Sequence, residues 1–346
     1  SNDVQVTFNN KKNNLILIYL ESMESSLFSK ENGGAFDESI IPELEQLAKN
    51  NLSFSNTTTL GGGKTLEKSS FTMASFVAST SGVPVNTKLF QGYTRKPFMP
   101  NVRTMFDILK DEGYNLEILQ GSEIEFASTD KYVTEHGNME IFDYNKIVEK
   151  GYIDSNYFEW WGIEDKKLFE FSKKEIDNLS KKDEPFAAVL FTMDTHFRDG
   201  YFDSSCEEKF DSHLSNSYYC SSKMVNEFIE YLKKQDYYKD TTIVIVGDHI
   251  TMQNDFYDGV HDYDRRTYNV FLNSLVNTNN NKNRQFTSLD LYPTILSSMG
   301  ANIKGDRLGL GVNLFSNKKT LLEKYGYDYL NNELKKNSRY FNEKLK

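Results

Sequence analysis

The chain has 346 residues, with 50 acidic and 40 basic side chains and a net charge of −10. Its length exceeds a typical single domain, yet no Gly/Ser/Pro-rich linker divides it, so one large domain with a small C-terminal appendage is expected. Dispersed lysines on an acidic chain argue against nucleic acid as a partner, and no run of 18 apolar residues offers a membrane span within this stretch.

Ser1-Asn2 reads as a cloning remnant, and the expectation is that the natural protein carries an upstream membrane anchor. The first strong element is Asn14-Leu-Ile-Leu-Ile-Tyr-Leu20, an apolar run without alternation that ends in Glu21. Such a run is the pattern of a strand covered on both faces. Residues 41–50 place Ile41, Leu44 and Leu47 at helical spacing, with Pro42 suited to a first turn. Leu52–Asn56 reads as a short strand. Gly61-Gly-Gly-Lys-Thr65 invites comparison with a nucleotide-binding loop, but the first Gly of that motif falls on Thr58, so the match fails. Thr72–Ser79 suits a buried helix, with Ser and Thr as caps around its start.

Residues 101–113 form an amphipathic helix with Val102, Met105, Phe106 and Leu109 on one face and Gly113 as its stop. Leu116–Leu119 is the strand that follows, and Leu168–Leu179 is a charged surface helix. Pro185–Met193 is another buried strand, leading into Asp194-Thr195-His196. Phe202–Ser222 is polar and loop-like. It holds the two cysteines, Cys206 and Cys220, whose close spacing outside any strand or helix core points to a local disulfide and an oxidising compartment. Met224–Lys234 is amphipathic and helical. Thr242–Val246 is a fully buried strand whose end delivers Asp248 and His249, and Leu289–Met299 is a helix entered through Asp290 and closed by Gly300. Thr278–Asn283 is a solvated turn. This alternation predicts an α/β fold with a mostly parallel central sheet and helices on both faces. The expected divisions are a linker over 1–13, a catalytic domain over 14–317 and a polar helical tail over 318–346.

Three buried strands thus end in Glu21, His196 and Asp248-His249, and the carboxyl edge of a parallel sheet is where ligands bind. Thr72 adds a hydroxyl at a helix start. Singly, each residue has an ordinary reading as a turn-capping acid or a satisfied core histidine. Together, Glu21, Thr72, Asp248 and His249 form a ligand set for one divalent ion. Such an ion makes a hydroxyl nucleophilic, and a helix N-terminus welcomes a phosphate. Phosphoryl or sulfuryl transfer is the expected chemistry.

Tyr19-Leu-Glu21-Ser22, Thr72 to Pro84, Met193-Asp-Thr-His196, Gly247-Asp-His249 and Asp290-Leu-Tyr-Pro-Thr294 make the chain recognisable over roughly Asn14–Gly311. It resembles the alkaline phosphatase/sulfatase superfamily, in the branch of lipoteichoic acid synthases and the phosphoglycerol transferases of periplasmic glucans. The resemblance implies manganese, with magnesium or zinc as alternatives, held by Glu21, a nucleophilic threonine, Asp248 and His249. It implies His196 as a substrate ligand or an acid for the leaving group, and Cys206 and Cys220 as a pair bracketing a loop. It further implies a phosphatidylglycerol donor, a phospho-threonine intermediate, a glycan or polymer acceptor, and a site on the periplasmic or outer face of the cell membrane.

Counting back from Val77-Ala-Ser79 and Pro84 selects Thr72 as the nucleophile, whereas counting forward from Ser53–Asn56 selects Thr65. The chain departs from lipoteichoic acid synthases in one respect. Phe126-Ala-Ser-Thr-Asp-Lys131 lacks the Trp and Arg that bind the glycerophosphate head group there, which leaves Lys131, His136 or Arg265 to supply the contact. Alternative readings are a phosphoethanolamine transferase, a phosphodiesterase or sulfatase-type hydrolase, and a non-enzymatic binder of glycan or lipid head groups. The sulfatase reading lacks its Cys/Ser-x-Pro-x-Arg stretch, because residues 65–84 contain no arginine.

Overall fold

The computed structural model describes residues 5–8, 11–85, 97–260 and 262–345, so Ser1 and Asn2 lie outside the described residues. In chain order the first half supplies β1 (Val6–Phe8), β2 (Asn14–Leu20), α1 (Pro42–Asn50), α2 (Thr72–Ser81), α3 (Met105–Asp111), β3 (Asn115–Gln120), α4 (Thr129–Glu135) and β4 (Glu140–Phe142). The second half supplies α5 (Tyr144–Glu149), α6 (Asp165–Leu179), β5 (Phe186–Phe191), α7 (His213–Leu232), β6 (Thr241–Gly247), β7 (Asn269–Leu272) and α8 (Ser288–Ser298). Short pieces follow: β8 (Ala301–Ile303), β9 (Arg307–Leu308), β10 (Gly311–Val312), α9 (Leu321–Tyr325) and α10 (Tyr327–Lys335).

The central sheet runs β4-β3-β5-β2-β6-β7, parallel except for β7, as the apolar runs predict. Strand β2 lies between β5 and β6, and its pleat divides the core. Leu15, Leu17 and Tyr19 pack towards α2, α3, α4 and α8. Ile16, Ile18 and Leu20 pack towards α1, α6 and α7. Each fully buried aliphatic side chain contributes about 2 kcal/mol through surface removed from water. Register then fixes the site, since Tyr19 lies opposite Phe191 and Val246, so the three strands end level with one another.

Several expectations change. Leu52–Asn56 is not a strand. After one bridge from Leu52 to Phe271, the Asn269 side-chain amide takes over, accepting from the Phe54 N–H and donating to the Phe54 carbonyl (both 2.8 Å). The helix expected over 101–113 is confined to α3, because Thr104 caps it in a capping box with Asp107. No Ser or Thr caps α2. Its N-cap is Phe71, which makes no side-chain capping bond.

Described residues within the expected linker and the expected tail pack against the rest of the fold. β1, within the expected linker, pairs antiparallel with β8. In the expected tail, Leu322 and Leu330 are buried against Leu66, Ala78 and Leu289. The Arg284 guanidinium fastens this region by bonding Glu323 (2.8 Å) and the carbonyls of Leu314, Ser316 and Lys318.

The loop expected over 202–222 gives way to helix at His213, so Cys220 is a buried residue of α7 rather than a loop residue. It is disulfide-bonded to Cys206, with Cα atoms 5.7 Å apart. Closing a loop of this size contributes about 3 kcal/mol in the chain-entropy account. Replacing both cysteines by serine should therefore lower the denaturant midpoint by an amount equivalent to about 3 kcal/mol. Two freely reactive thiols in the unreduced native protein would contradict the pairing.

Candidate active site

Glu21 follows β2 directly, and Asp248 and His249 follow β6. Between the strands the backbones approach so closely that a Cβ on Gly247 would sit 1.8 Å from the Met23 carbonyl oxygen. Only glycine fits there, which accounts for the Gly-Asp-His order. Ser22, next to Glu21, has a left-handed backbone (φ 51°), which costs on the order of 1–3 kcal/mol for such a residue. Its N–H donates to Asp248 Oδ1 at 2.8 Å, and the His249 N–H donates to the same oxygen at 2.8 Å. These bonds turn the second carboxylate oxygen, Oδ2, towards Glu21 and His249, where it is buried without a hydrogen-bond partner among the described residues.

His249 is oriented by its own neighbourhood. Nδ1 lies 2.8 Å from the Ile250 carbonyl, and Nε2 lies 3.4 Å from both Glu21 Oε1 and Asp248 Oδ2. The three candidate ligand atoms fall within 4.8 Å of one another, and all three residues are buried. An imidazole between two carboxylates, with an orphaned Asp248 oxygen aimed inward, suits a divalent cation once the ring gives up its proton.

The electrostatics of the free site agree. Burial works to raise Glu21, but His249, His196 and the Ser22 hydroxyl outweigh it and bring the carboxyl down to about 2. Asp248 is pushed up to about 7, first by burial and then by the charge of Glu21. For His249 burial acts downward, yet Asp248 and Glu21 prevail and raise it to about 10. The protein alone thus keeps extra protons in this centre to offset two buried acids.

Thr72 opens α2, and its Oγ1 donates to Glu21 Oε2 at 3.0 Å. Ser75, one turn on, donates to the Asp248 carbonyl, so α2 is fixed against the ends of both β2 and β6. Thr65 makes no such bond to Glu21. Its hydroxyl lines a small cavity of about 10 Å³ with Asp248 and Ser288 and has no hydrogen-bond partner among the described residues. His196 stands beyond Glu21, its ring 4.9 Å from Phe197 and 5.3 Å from Trp161.

The proposed head-group residues fare differently. His136 is buried, with Nδ1 3.0 Å from Asp107 and Nε2 2.9 Å from the Phe98 carbonyl, so both ring nitrogens are engaged in holding the fold. Arg265 forms a two-pronged pair with Glu24 (3.0 and 2.7 Å) and also reaches Thr251 and Asn254, which directs its guanidinium inward. Neither is free to receive a substrate. Lys131 sits in the first turn of α4, beside Thr129, whose hydroxyl lies 3.3 Å from the Met73 sulfur next to Thr72.

Sequence reasoning missed Ser22, Ser75, Thr192, Thr195 and Trp161. Thr192 Oγ1 accepts from the Glu21 N–H at 3.0 Å, and Thr195 donates to the Glu21 carbonyl. The chain does supply an exposed tryptophan beside His196, but from the loop before α6 rather than from residues 126–131. Ser22, Ser75 and Thr195 fall inside the motifs that carry the resemblance and Thr192 lies at a strand end, which was the signal available for them, whereas Trp161 offered none.

Residues 13–301 match the sulfatase family, and the chain belongs to it. The chain is 28% identical over 316 residues to phosphoglycerol transferase I of Xanthomonas campestris pv. campestris (strain B100), covering 89% of this chain and 43% of that protein. It therefore spans less than half the length of that relative. Its fold is similar to that of the lipoteichoic acid synthase LtaP of Listeria monocytogenes, with TM-score 0.69 and 19% identity over 90% of this chain and 79% of the other. It is also similar to that of the C-terminal periplasmic domain of EcEptC from Escherichia coli in complex with zinc, with TM-score 0.63 and 13% identity over 92% and 91%.

Binding of a dication must displace protons from Asp248 and His249, so affinity should strengthen as pH rises. Through the range near pH 7 the gain is up to about tenfold per pH unit for each proton released. Titration calorimetry with Mn(II) at pH 6, 7 and 8 checks the sign, and a pH-independent affinity would contradict this ligand set. Glu21→Gln should weaken Mn(II) binding by at least tenfold while the near-ultraviolet circular dichroism is retained.

Proposed function

We propose that this chain is the catalytic part of a metal-dependent phosphoglycerol transferase, moving glycerophosphate from phosphatidylglycerol to a hydroxyl of a glycan or polymer. One observation carries the reading: a hydroxyl at an uncapped helix N-terminus, Thr72 on α2, is hydrogen-bonded to Glu21 within a buried Glu21/Asp248/His249 cluster. Similarity to phosphoglycerol transferase I supports the choice of transferred group.

In this reading Glu21, Asp248, His249 and Thr72 hold the ion, with manganese preferred over zinc or magnesium. A bound divalent ion lowers the pKa of the Thr72 hydroxyl and offsets charge on the phosphate. Thr72 Oγ1, oriented by its hydrogen bond to Glu21 Oε2, gives its proton to water and attacks the donor phosphorus. The first-turn N–H groups of α2 face the phosphate oxygens. The bond from phosphorus to the diacylglycerol oxygen breaks, and His196 supplies the proton that oxygen takes up. His196 then removes a proton from the acceptor hydroxyl, whose oxygen attacks the same phosphorus and releases Thr72, which takes a proton back from water. A site on the outer face of the cell membrane, reached through attachment outside these residues, completes the proposal.

Incubation with manganese and a phosphatidylglycerol head-group analogue should add one glycerophosphate to Thr72, read by intact mass and peptide mapping. Thr72→Ala should lower turnover by at least a thousandfold with Mn(II) affinity reduced far less, whereas Thr65→Ala should stay within a few-fold of the parent. An adduct on Thr65, or turnover that survives Thr72→Ala, would overturn the assignment.

A further inference from the structure

Asp165 is the first residue of α6 and is 1% exposed. An acid in the first turn of a helix ordinarily faces that helix's own dipole from the surface. Asp165 instead directs both carboxylate oxygens at another element. Oδ1 accepts from the Met193 N–H at 2.7 Å and Oδ2 from the Asp194 N–H at 3.0 Å. Asp194 returns the contact, its Oδ1 accepting from the Asp165 N–H at 3.1 Å. The two acids thus bind each other's backbones, joining the start of α6 to the chain leaving β5.

That stretch is held again on its far side. Trp160 Nε1 donates to the Met193 carbonyl at 3.0 Å, and the same carbonyl accepts from the His196 N–H at 3.0 Å. The Asp194 carbonyl accepts from Tyr201 at 2.6 Å, which closes the turn containing His196. Thr192 and Thr195 flank the two acceptor contacts and grip the backbone of Glu21 on both sides. A displacement of residues 192–196 therefore moves a metal ligand's backbone and the substrate-facing imidazole together.

We propose that Asp165 and Asp194 are a positioning pair that sets His196 and Glu21 relative to Thr72, an inference that rests on the roles given to those three residues. Two buried carboxylates side by side are costly in any protein that needs only a helix cap, and a single Ser or Thr would serve that purpose. Asp194 keeps its second oxygen buried without a partner among the described residues. Burial and the neighbouring Asp165 push its carboxyl well upward. Asparagine keeps the Oδ1 that accepts from the Asp165 N–H and should replace Asp194 with little change of shape.

The test compares Asp165→Ala, Asp165→Asn, Asp194→Ala and Asp194→Asn in the full chain, reading Mn(II) affinity by calorimetry and kcat and KM for the head-group analogue. Both alanine variants should lose about tenfold in Mn(II) affinity, the scale at which outer-shell partners act. They should also lose more than tenfold in kcat, with KM shifted less than threefold. Asp194→Asn should rescue both quantities to within threefold of the parent, and Asp165→Asn, which retains one acceptor oxygen, should fall between. Parental affinity and kcat in Asp165→Ala would overturn the proposal, as would Asp194→Asn losing as much as Asp194→Ala. Where an alanine variant does not fold, the two asparagine variants decide, since a Mn(II) affinity in Asp165→Asn equal to the parent's also overturns it. The metal readout needs no donor, so a parent protein inactive on phosphatidylglycerol overturns the transferase reading without touching this one.

Discussion

Two carboxylates, Glu21 and Asp248, converge on one imidazole where water is excluded, and like charges in such a place repel strongly unless something positive joins them. The rest of the site is arranged around this constraint. Two backbone N–H groups stabilise one Asp248 oxygen, the Ser22 hydroxyl serves Glu21, and a left-handed Ser22 backbone is tolerated in return. The protein holds the acids apart by register rather than by packing alone, since β2 and β6 are paired along their whole shared length. A cation is what the geometry leaves to be supplied.

The sheet makes that convergence possible. Its three central strands end at one level, so side chains distant in sequence meet within hydrogen-bond range. The two faces are covered by separate helical layers, and α2 on one face reaches over the edge to add Thr72 and Ser75. Fastening by Thr192 and Thr195 on the β5 side balances fastening by Asp248 on the β6 side. Glu21 is therefore constrained from left and right by different strands.

Much of this could be read from the chain. Unbroken apolar runs ending in acids or histidines predicted the parallel sheet, because burial on both faces leaves a clear pattern, and the motifs at those strand ends carried the resemblance to the sulfatase superfamily. Contacts made through side-chain amides or salt links did not show. The Asn269 amide that replaces a ladder at Phe54 looks like any polar residue, and the inward turn of Arg265 depends on Glu24, more than two hundred residues earlier. His136 reads equally well as a ligand or as a structural residue until Asp107 is placed beside it. Asp165 was hidden by its neighbours, since a run of charged residues opening a helix looks solvated, and only the fold shows one of them facing inward.

The disulfide has a bearing on the centre that sequence distance conceals. Cys220 lies two residues from Tyr218 on α7, and the buried Tyr218 hydroxyl donates to the Ser22 carbonyl at 2.9 Å, one peptide from Glu21. The covalent link that anchors the preceding loop to α7 thus sits half a helical turn from a direct brace on the strained residue of the site. A bond closed fourteen residues along the chain steadies the helix from which Tyr218 reaches the backbone beside Glu21, and its reduction would loosen that support without touching a side chain of the cluster.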